Sequence, residues 1–556
     1  MFKAEYKAIL TAAPFHLDDA GMAWVEATLA SLSAEEKIGQ LFILASMGMD
    51  PGEPERLAAL KPAGITRFFL SGDRDAELGF LDQVRADARV PMLVSADLEG
   101  SRMSLPFGTE VPNPLALAAV DDVQATTAIS RIMADEARAT GINWSFTPVI
   151  DINAAFRSAI VATRGFGSQV DRIERHALAQ IAAFQAAGVA ATVKHWPGEG
   201  HDDRDQHLVT TVNPLTLTEW EESHGRLYRA AIDQGVMAVM SAHIAFPAFV
   251  RELAPGAELE AYRPASISRV LTQTLLRERL GFNGLIVSDA TGMAGLGAWG
   301  KRSECLPEVI SAGCDLILFS NDPVQDMGYI RAALADGRIT AARHEEALVR
   351  VLGLKAALGL HKASVLERSV LGSAQNKATA QAVTARVPTL VKDVKGLLPL
   401  SPAKHRRVLV ITGGVVSPIH PEPFAFDLPE MLRSEGFEVT LYDKSTPQNP
   451  KDFDLVIYLL GEETLLTRGR IFLDWLRLTG DFRLAMERPW HEVPTMLISF
   501  GYPYYLYDAP RMPCVVNAYA TMPSMQKAAV DCLLGRAPWQ GQSPVDPFCG
   551  QEEARY

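Results

Sequence analysis

This chain has little cysteine. Its five cysteines in 556 residues (Cys305, Cys314, Cys514, Cys532 and Cys549) are odd in number and scattered, with no Cys-x-x-Cys pair. That excludes a disulfide-stapled scaffold and a zinc ribbon, and it points to free thiols in a reducing compartment. No run of eighteen apolar residues occurs, so no membrane-spanning helix is expected. The opening Met1-Phe2-Lys3-Ala4-Glu5 meets an acid early and has no apolar h-region. No signal peptide is therefore expected, and cytoplasm is the expected compartment. An excess of basic residues is also missing. With 53 Lys and Arg against 66 Asp and Glu the net charge is -13, which argues against a nucleic-acid or anionic-membrane partner. No internal repeat or low-complexity tract stands out.

What is present is ordinary globular composition, 48% apolar and 21% charged, in a chain long enough for two or three domains. Ser33-Ala34-Glu35-Glu36 reads as a capping box that opens a helix. Eight short apolar runs follow, at 42–45, 65–70, 92–95, 144–150, 191–193, 238–241, 285–288 and 316–319. Helix-patterned stretches such as 123–140 and 173–187 separate most of them. Buried strands alternating with helices form a parallel sheet covered on both faces. Eight such units predict a (β/α)₈ TIM-type barrel with its site at the C-terminal ends of the strands. A smaller αβα sandwich is expected after it, from runs at 408–412, 439–442, 455–460, 496–500 and 514–518. The expected domains are a barrel over 1–362, a helical linker over 363–395 and the sandwich over 396–556.

The polar residues gather at the expected strand ends. The third run leads to Asp97 and Glu99, the fourth to Asp151 and Asn153 with Arg164 a little later, the sixth to His243 and the seventh to Asp289. The fifth leads into the densest stretch of proton-transfer chemistry in the chain, Lys194-His195-Trp196-Pro197-Gly198-Glu199-Gly200, which continues through Asp205-Gln206-His207. A carboxylate two residues from a histidine fixes the tautomer of the ring and raises its basicity. Each residue also has a plainer reading. The loop is either a solvated polar loop or a metal site built from His201, Asp202, Asp203, Asp205 and His207, although the known zinc spacings are absent. Asp289 also suits a helix N-cap, Arg164 a structural ion pair and His243 a packed strand-end histidine. Gly295-Leu296-Gly297-Ala298-Trp299-Gly300 matches Gly-x-Gly-x-x-Gly but begins six residues beyond Asp289, so a flexible loop is expected rather than a dinucleotide site.

Together these segments resemble the family 3 glycoside hydrolases. Lys-His-aromatic-Pro-Gly-x-Gly, four residues, then Asp-x-His is similar to that family's β-N-acetylglucosaminidase branch. The segments beginning at Leu32, Asp97, Thr163, Leu280 and Ser499 are similar to further family segments and stand in the family's order. The resemblance implies Asp289 as nucleophile, His207 as acid/base and Asp205 as the group that holds His207. It also implies Asp97, Arg164, Lys194 and His195 as ligands of sugar hydroxyls, with their cations keeping Asp289 ionised.

The activity so implied is that of a retaining exo-β-glycosidase with a carbohydrate substrate and no metal or organic cofactor. The expected substrate is a β-N-acetylglucosaminide. The alternatives are another sugar, phosphate in place of water as acceptor, or a sugar-binding relative without turnover. Three positions depart from the family pattern. Gln206 replaces a small Ser or Thr, Glu199 stands where His or Leu is usual, and Leu105 replaces an arginine that grips the sugar. Arg102 is expected to be structural.

Overall fold

Eight short parallel strands close into a barrel in the computed structural model, which describes residues 2–48, 50, 52–363, 365–417 and 420–556. They are β1 (Phe42–Ser46), β2 (Gly64–Arg67), β3 (Leu93–Ala96), β4 (Trp144–Ser145), β5 (Ala190–Trp196), β6 (Ala238–Ser241), β7 (Leu285–Ala290) and β8 (Leu316–Leu318). β1 pairs with both β2 and β8, so the barrel has no open edge. The helices Val123–Thr140 and Val170–Ala186 lie between strands and bury one face each, as the apolar spacing requires. The capping box forms: Glu36 N–H donates to Ser33 Oγ (3.3 Å) and Ser33 N–H to Glu36 Oε2 (2.8 Å).

Several strand boundaries differ from the sequence expectation, the second run ending at Arg67 for one, and those of β5 and β7 shape the site. The fourth run stops being a strand at Ser145, because Pro148 has no N–H to offer a sheet partner. β5 extends beyond Val193 to Trp196, so Lys194 and His195 belong to the strand rather than to the loop. Its register with β6 shifts between Val193 and Trp196, a bulge that re-aims the residues it contains. β7 also runs further than expected and includes Asp289.

The second domain is a six-stranded mixed sheet. Its strands are β9 (Thr389–Asp393), β10 (Arg407–Val415), β11 (Glu438–Leu441), β12 (Leu455–Gly461), β13 (Thr495–Ser499) and β14 (Cys514–Asn517), in the order β9-β14-β13-β12-β10-β11. β9 alone is antiparallel. The stretch 363–395, expected to be a helical linker, holds a 3₁₀ turn at Arg368–Val370 and an α-helix over Ala374–Thr384 before this edge strand. Pro388 and the β-prone Thr389-Leu390-Val391 end the helical tendency there.

The two domains share packing. Leu115, Ala116 and Ala119 of the helix Pro114–Val120, with Ala159 and Ala162 of the segment after β4, are buried in the core of the second domain. Glu463, just after β12, accepts hydrogen bonds from Ser101 Oγ (2.8 Å) and Asn113 Nδ2 (3.2 Å) in the stretch between β3 and that helix. Arg102 donates to the carbonyl of Val416, which fits its expected structural part.

Candidate active site

Beyond β3, the chain places Asp97 and Glu99 opposite Lys194 of β5. Lys194 Nζ lies 2.7 Å from Asp97 Oδ1 and 2.7 Å from Glu99 Oε1. Arg164 grips Glu99 in a two-point fork, Nε to Oε2 and Nη2 to Oε1, both 2.9 Å. Burial opposes the Glu99 carboxylate, but Arg164 and Lys194 hold its pKa well below the usual range. Burial likewise opposes the Lys194 ammonium, and Asp97 with Glu99 raises its pKa above the ordinary value. Arg164 is therefore an ion-pair residue through Glu99, while Asp97 remains partly exposed at the barrel mouth.

Asp151 closes the far side. Its Oδ1 accepts the backbone N–H of His195 (3.0 Å) and of Glu199 (2.9 Å), and its Oδ2 lies 2.6 Å from His195 Nδ1. A carboxylate at that distance places the proton on Nδ1 and leaves Nε2 of His195 free for a ligand. Gly200 sits at φ 111° with Ile152 O only 1.8 Å from where a Cβ would be, so the turn after Glu199 admits glycine alone. Ligand atoms of Asp151, His195 and Glu199 lie within 4.8 Å of one another. The fit to a metal is poor, because the nitrogen that faces the two carboxylates is Nδ1, which carries its proton toward Asp151 and has no lone pair to offer. The other metal set, from the loop, disperses: Asp202 is paired with Arg204, and His201 packs edge-on against His224.

Farther along the loop, His207 Nδ1–H donates to Asp205 Oδ1 (2.7 Å), and the His207 backbone N–H reaches the same oxygen (2.8 Å). The other carboxylate oxygen, Oδ2, accepts the backbone N–H of Thr467 from the second domain (2.9 Å). Burial raises the Asp205 pKa, but His207 and these N–H donors outweigh it and keep the pKa below normal. His207 is about a quarter exposed, with Nε2 directed away from the dyad contact.

Asp289, at the end of β7, is buried, and its Oδ1 accepts the N–H of Ala290 at 2.7 Å. Burial disfavours its charge, yet His195, His243 and His207 with that N–H lower its pKa overall. His195 is thus among the groups that lower the Asp289 pKa, while the charges of Lys194 and Arg164 are engaged by Asp97 and Glu99. His243 is a packed histidine as expected, with Nδ1 2.8 Å from Ser266 Oγ and Nε2 3.0 Å from the carbonyl of Ala290. The Gly-x-Gly-x-x-Gly segment begins inside a short helix, Ala294–Gly297, and leaves it as a turn over 298–300. A Cβ on Gly295 would stand 2.4 Å from the Gln206 carbonyl, so this glycine permits close packing of the helix on the loop.

Sequence reasoning named Asp97, Arg164, Lys194, His195, Asp205, His207 and Asp289, and the fold brings all seven to one end of the barrel. It passed over Glu99, Asp151, Glu199 and Gln206 as site members. The first two carry a visible signal, acids at strand ends. Thr467 carries none, because it acts through its backbone and from another domain.

Residues 33–354 match the model of the glycosyl hydrolase family 3 N terminal domain, and the chain belongs to that family. A β-N-acetylglucosaminidase/β-glucosidase of Cellulomonas fimi is 40% identical across 98% of this chain and 99% of its own length. A β-hexosaminidase of Methylobacillus flagellatus is 30% identical over 47% of this chain and 74% of its own. Among solved structures, the β-glucoside phosphorylase BglX superposes with a TM-score of 0.91 at 33% identity, covering 99% of this chain and 100% of that one.

Proposed function

We propose that this family 3 chain cleaves a terminal β-linked sugar of gluco configuration with retention, through a covalent ester on Asp289. The observation that carries the proposal is the pairing of two states at one barrel mouth: a carboxylate kept ionised at Asp289 and an imidazole oriented by Asp205 at His207. In the first step the Asp289 carboxylate attacks the anomeric carbon and the bond to the leaving oxygen breaks. The imidazolium of His207 gives its Nε2 proton to that oxygen, and Asp205 stabilises the charged ring beforehand. In the second step neutral His207 takes a proton from the acceptor as the acceptor attacks and Asp289 leaves. Asp97, Lys194 and His195 bind the sugar, and Arg164 holds Glu99 beneath them.

The same end of the barrel supports an exo mode. Its inner wall is the buried cluster of Glu99, Lys194 and Asp151, with Asp97 at its partly exposed rim. On the outer side a cavity of about 490 Å³ adjoins Asp205 and is lined by Leu208, Phe156, Tyr507 and Phe472, a fit for the leaving group. The sugar we favour is β-N-acetylglucosamine with β-glucose accepted beside it. Leu105, where the sequence lacks the expected arginine, is buried among apolar side chains and offers no charge to select one sugar. The names of the Cellulomonas fimi relative agree with such a pair.

A second reading has a specific basis. A neutral imidazole, unlike a carboxylate, does not repel an incoming phosphate dianion, and BglX is named a phosphorylase. Turnover of 4-nitrophenyl β-N-acetylglucosaminide, β-glucoside, β-galactoside and β-xyloside, with and without phosphate, tests both. Release of free sugar supports hydrolysis, and release of a β-sugar 1-phosphate supports phosphorolysis. Absence of turnover on every substrate would overturn the proposal.

A further inference from the structure

Two departures from the family pattern, seven residues apart in sequence, meet in space. Gln206 Nε2 donates to Glu199 Oε2 at 3.0 Å, and both side chains are buried. Gln206 lies between Asp205 and His207, so whatever holds it holds the dyad. Its other end is also engaged, with the backbone N–H of His243 donating to Gln206 Oε1 at 3.0 Å. Glu199 is anchored in turn by its backbone N–H on Asp151 Oδ1. One polar strut thus runs Asp151–Glu199–Gln206–His243 across the barrel mouth. It ties the side that holds His195 to the side that holds Asp289.

We propose that Glu199 and Gln206 form a latch that keeps the Asp205–His207 loop folded over the barrel before substrate arrives, which makes both of them positioning residues for His207. The inference rests on the reading of His207 as the acid/base. A Ser or Thr at position 206 is too short to reach both Glu199 and the His243 N–H, and a Leu at 199 has nothing to accept the amide proton. The contacts around the pair reinforce the fold of the loop. Ala294 N–H donates to the His207 carbonyl (3.0 Å), and Thr210 Oγ1 to the Gly295 carbonyl (2.6 Å). Electrostatics favours a neutral latch. Burial, with the carboxylates of Asp151, Asp205 and Asp289, pushes the Glu199 carboxyl well above its usual range, so the strut adds no fourth negative charge.

The latch is tested by comparing the full-length chain with Gln206→Ala, Glu199→Ala and the isosteric Glu199→Gln. The backbone amides of His207, Leu208 and Val209 are the probes, because each is bonded to Asp205. Their hydrogen exchange should accelerate on the order of ten-fold in the two alanine variants, the scale of a lost buried hydrogen bond, and stay near wild type in Glu199→Gln. The same alanine variants should lose turnover of methyl or 4-methoxyphenyl glycosides, which need a proton on the leaving oxygen. They should keep most turnover of 2,4-dinitrophenyl glycosides, and Glu199→Gln should keep both. Exchange that is unchanged in the alanine variants would overturn the latch, as would equal loss on both substrates or a Glu199→Gln variant as damaged as Glu199→Ala. If the wild type turned over no glycoside, the functional proposal would fail while exchange still decided the latch.

Discussion

The backbone N–H of Thr467 donates to Asp205 Oδ2 at 2.9 Å, so the second domain completes a dyad that the barrel begins. Asp205 has two oxygens and three N–H partners, two from His207 and one from across the interface. Thr467 adopts a left-handed φ of 63° to make this contact, a conformation that proline, whose ring fixes φ at about −65°, cannot take at this position.

That geometry separates two substitutions. Thr467→Gly keeps the N–H and suits the left-handed backbone, so turnover of unactivated glycosides should remain near wild type. Thr467→Pro removes the donor and also forces the backbone out of its left-handed φ, so it should lower that turnover by at least roughly ten-fold, the scale of one hydrogen bond to a charged group. Rates on methyl glycosides, with circular dichroism as a check of folding, distinguish the two.

The dyad itself predicts a dependence on leaving group. His207→Ala should reduce turnover of unactivated glycosides by roughly 10²–10⁴, the usual contribution of general acid catalysis. It should cost far less with 2,4-dinitrophenolate leaving. Equal loss on both would rule out His207 as the acid.

Glu199 predicts a pH dependence of stability. Its folded pKa is raised above the unfolded value, so between the two the native state holds a proton that the unfolded state has released. Stability then falls as pH rises through that window, by up to about 1.4 kcal/mol per pH unit for one proton. Glu199→Gln removes this slope. The variant should match wild type below the ordinary glutamate pKa and become increasingly more stable above it. Urea midpoints from pH 4 to pH 8 measure the difference, and parallel curves would contradict it.

The Glu99 fork predicts the opposite kind of variant. Glu99→Gln strips a buried charge from between Arg164 and Lys194 and leaves both cations short of a partner. Breaking a buried pair from one side costs about 3–5 kcal/mol. Denaturant unfolding should show a loss of that size, and sugar affinity should fall as Lys194 loses one of the two carboxylates that position it.

Much of this was legible in the sequence because parallel barrels write themselves as apolar runs with polar ends. The run at 238–241 is a strand over those residues, and Asp97 and Asp289 lie at or just beyond strand ends, while Asp151 follows Ser145 by six residues. What escaped had physical causes. Lys194 and His195 looked like loop because charge normally ends a buried strand, whereas here a bulge and the carboxylates of Asp97, Glu99 and Asp151 accommodate them. Pro148 truncated a run that hydropathy alone extends. Gln206 and Glu199 each looked like a local departure, since nothing in the spacing tells that their side chains touch. The Thr467 contact is a backbone donor delivered by domain packing, and no side-chain pattern records it.

The proposed chemistry turns on a covalent bond between Asp289 and the sugar. A 2-deoxy-2-fluoro-β-glucosyl compound with a 2,4-dinitrophenolate leaving group slows both steps but the second more, so the ester accumulates. Peptide mass spectrometry after such labelling should find one fluoroglucosyl unit on the peptide containing Asp289 and none in Asp289→Ala. Label on another residue, or brisk turnover of ordinary glycosides by Asp289→Ala, would contradict the account.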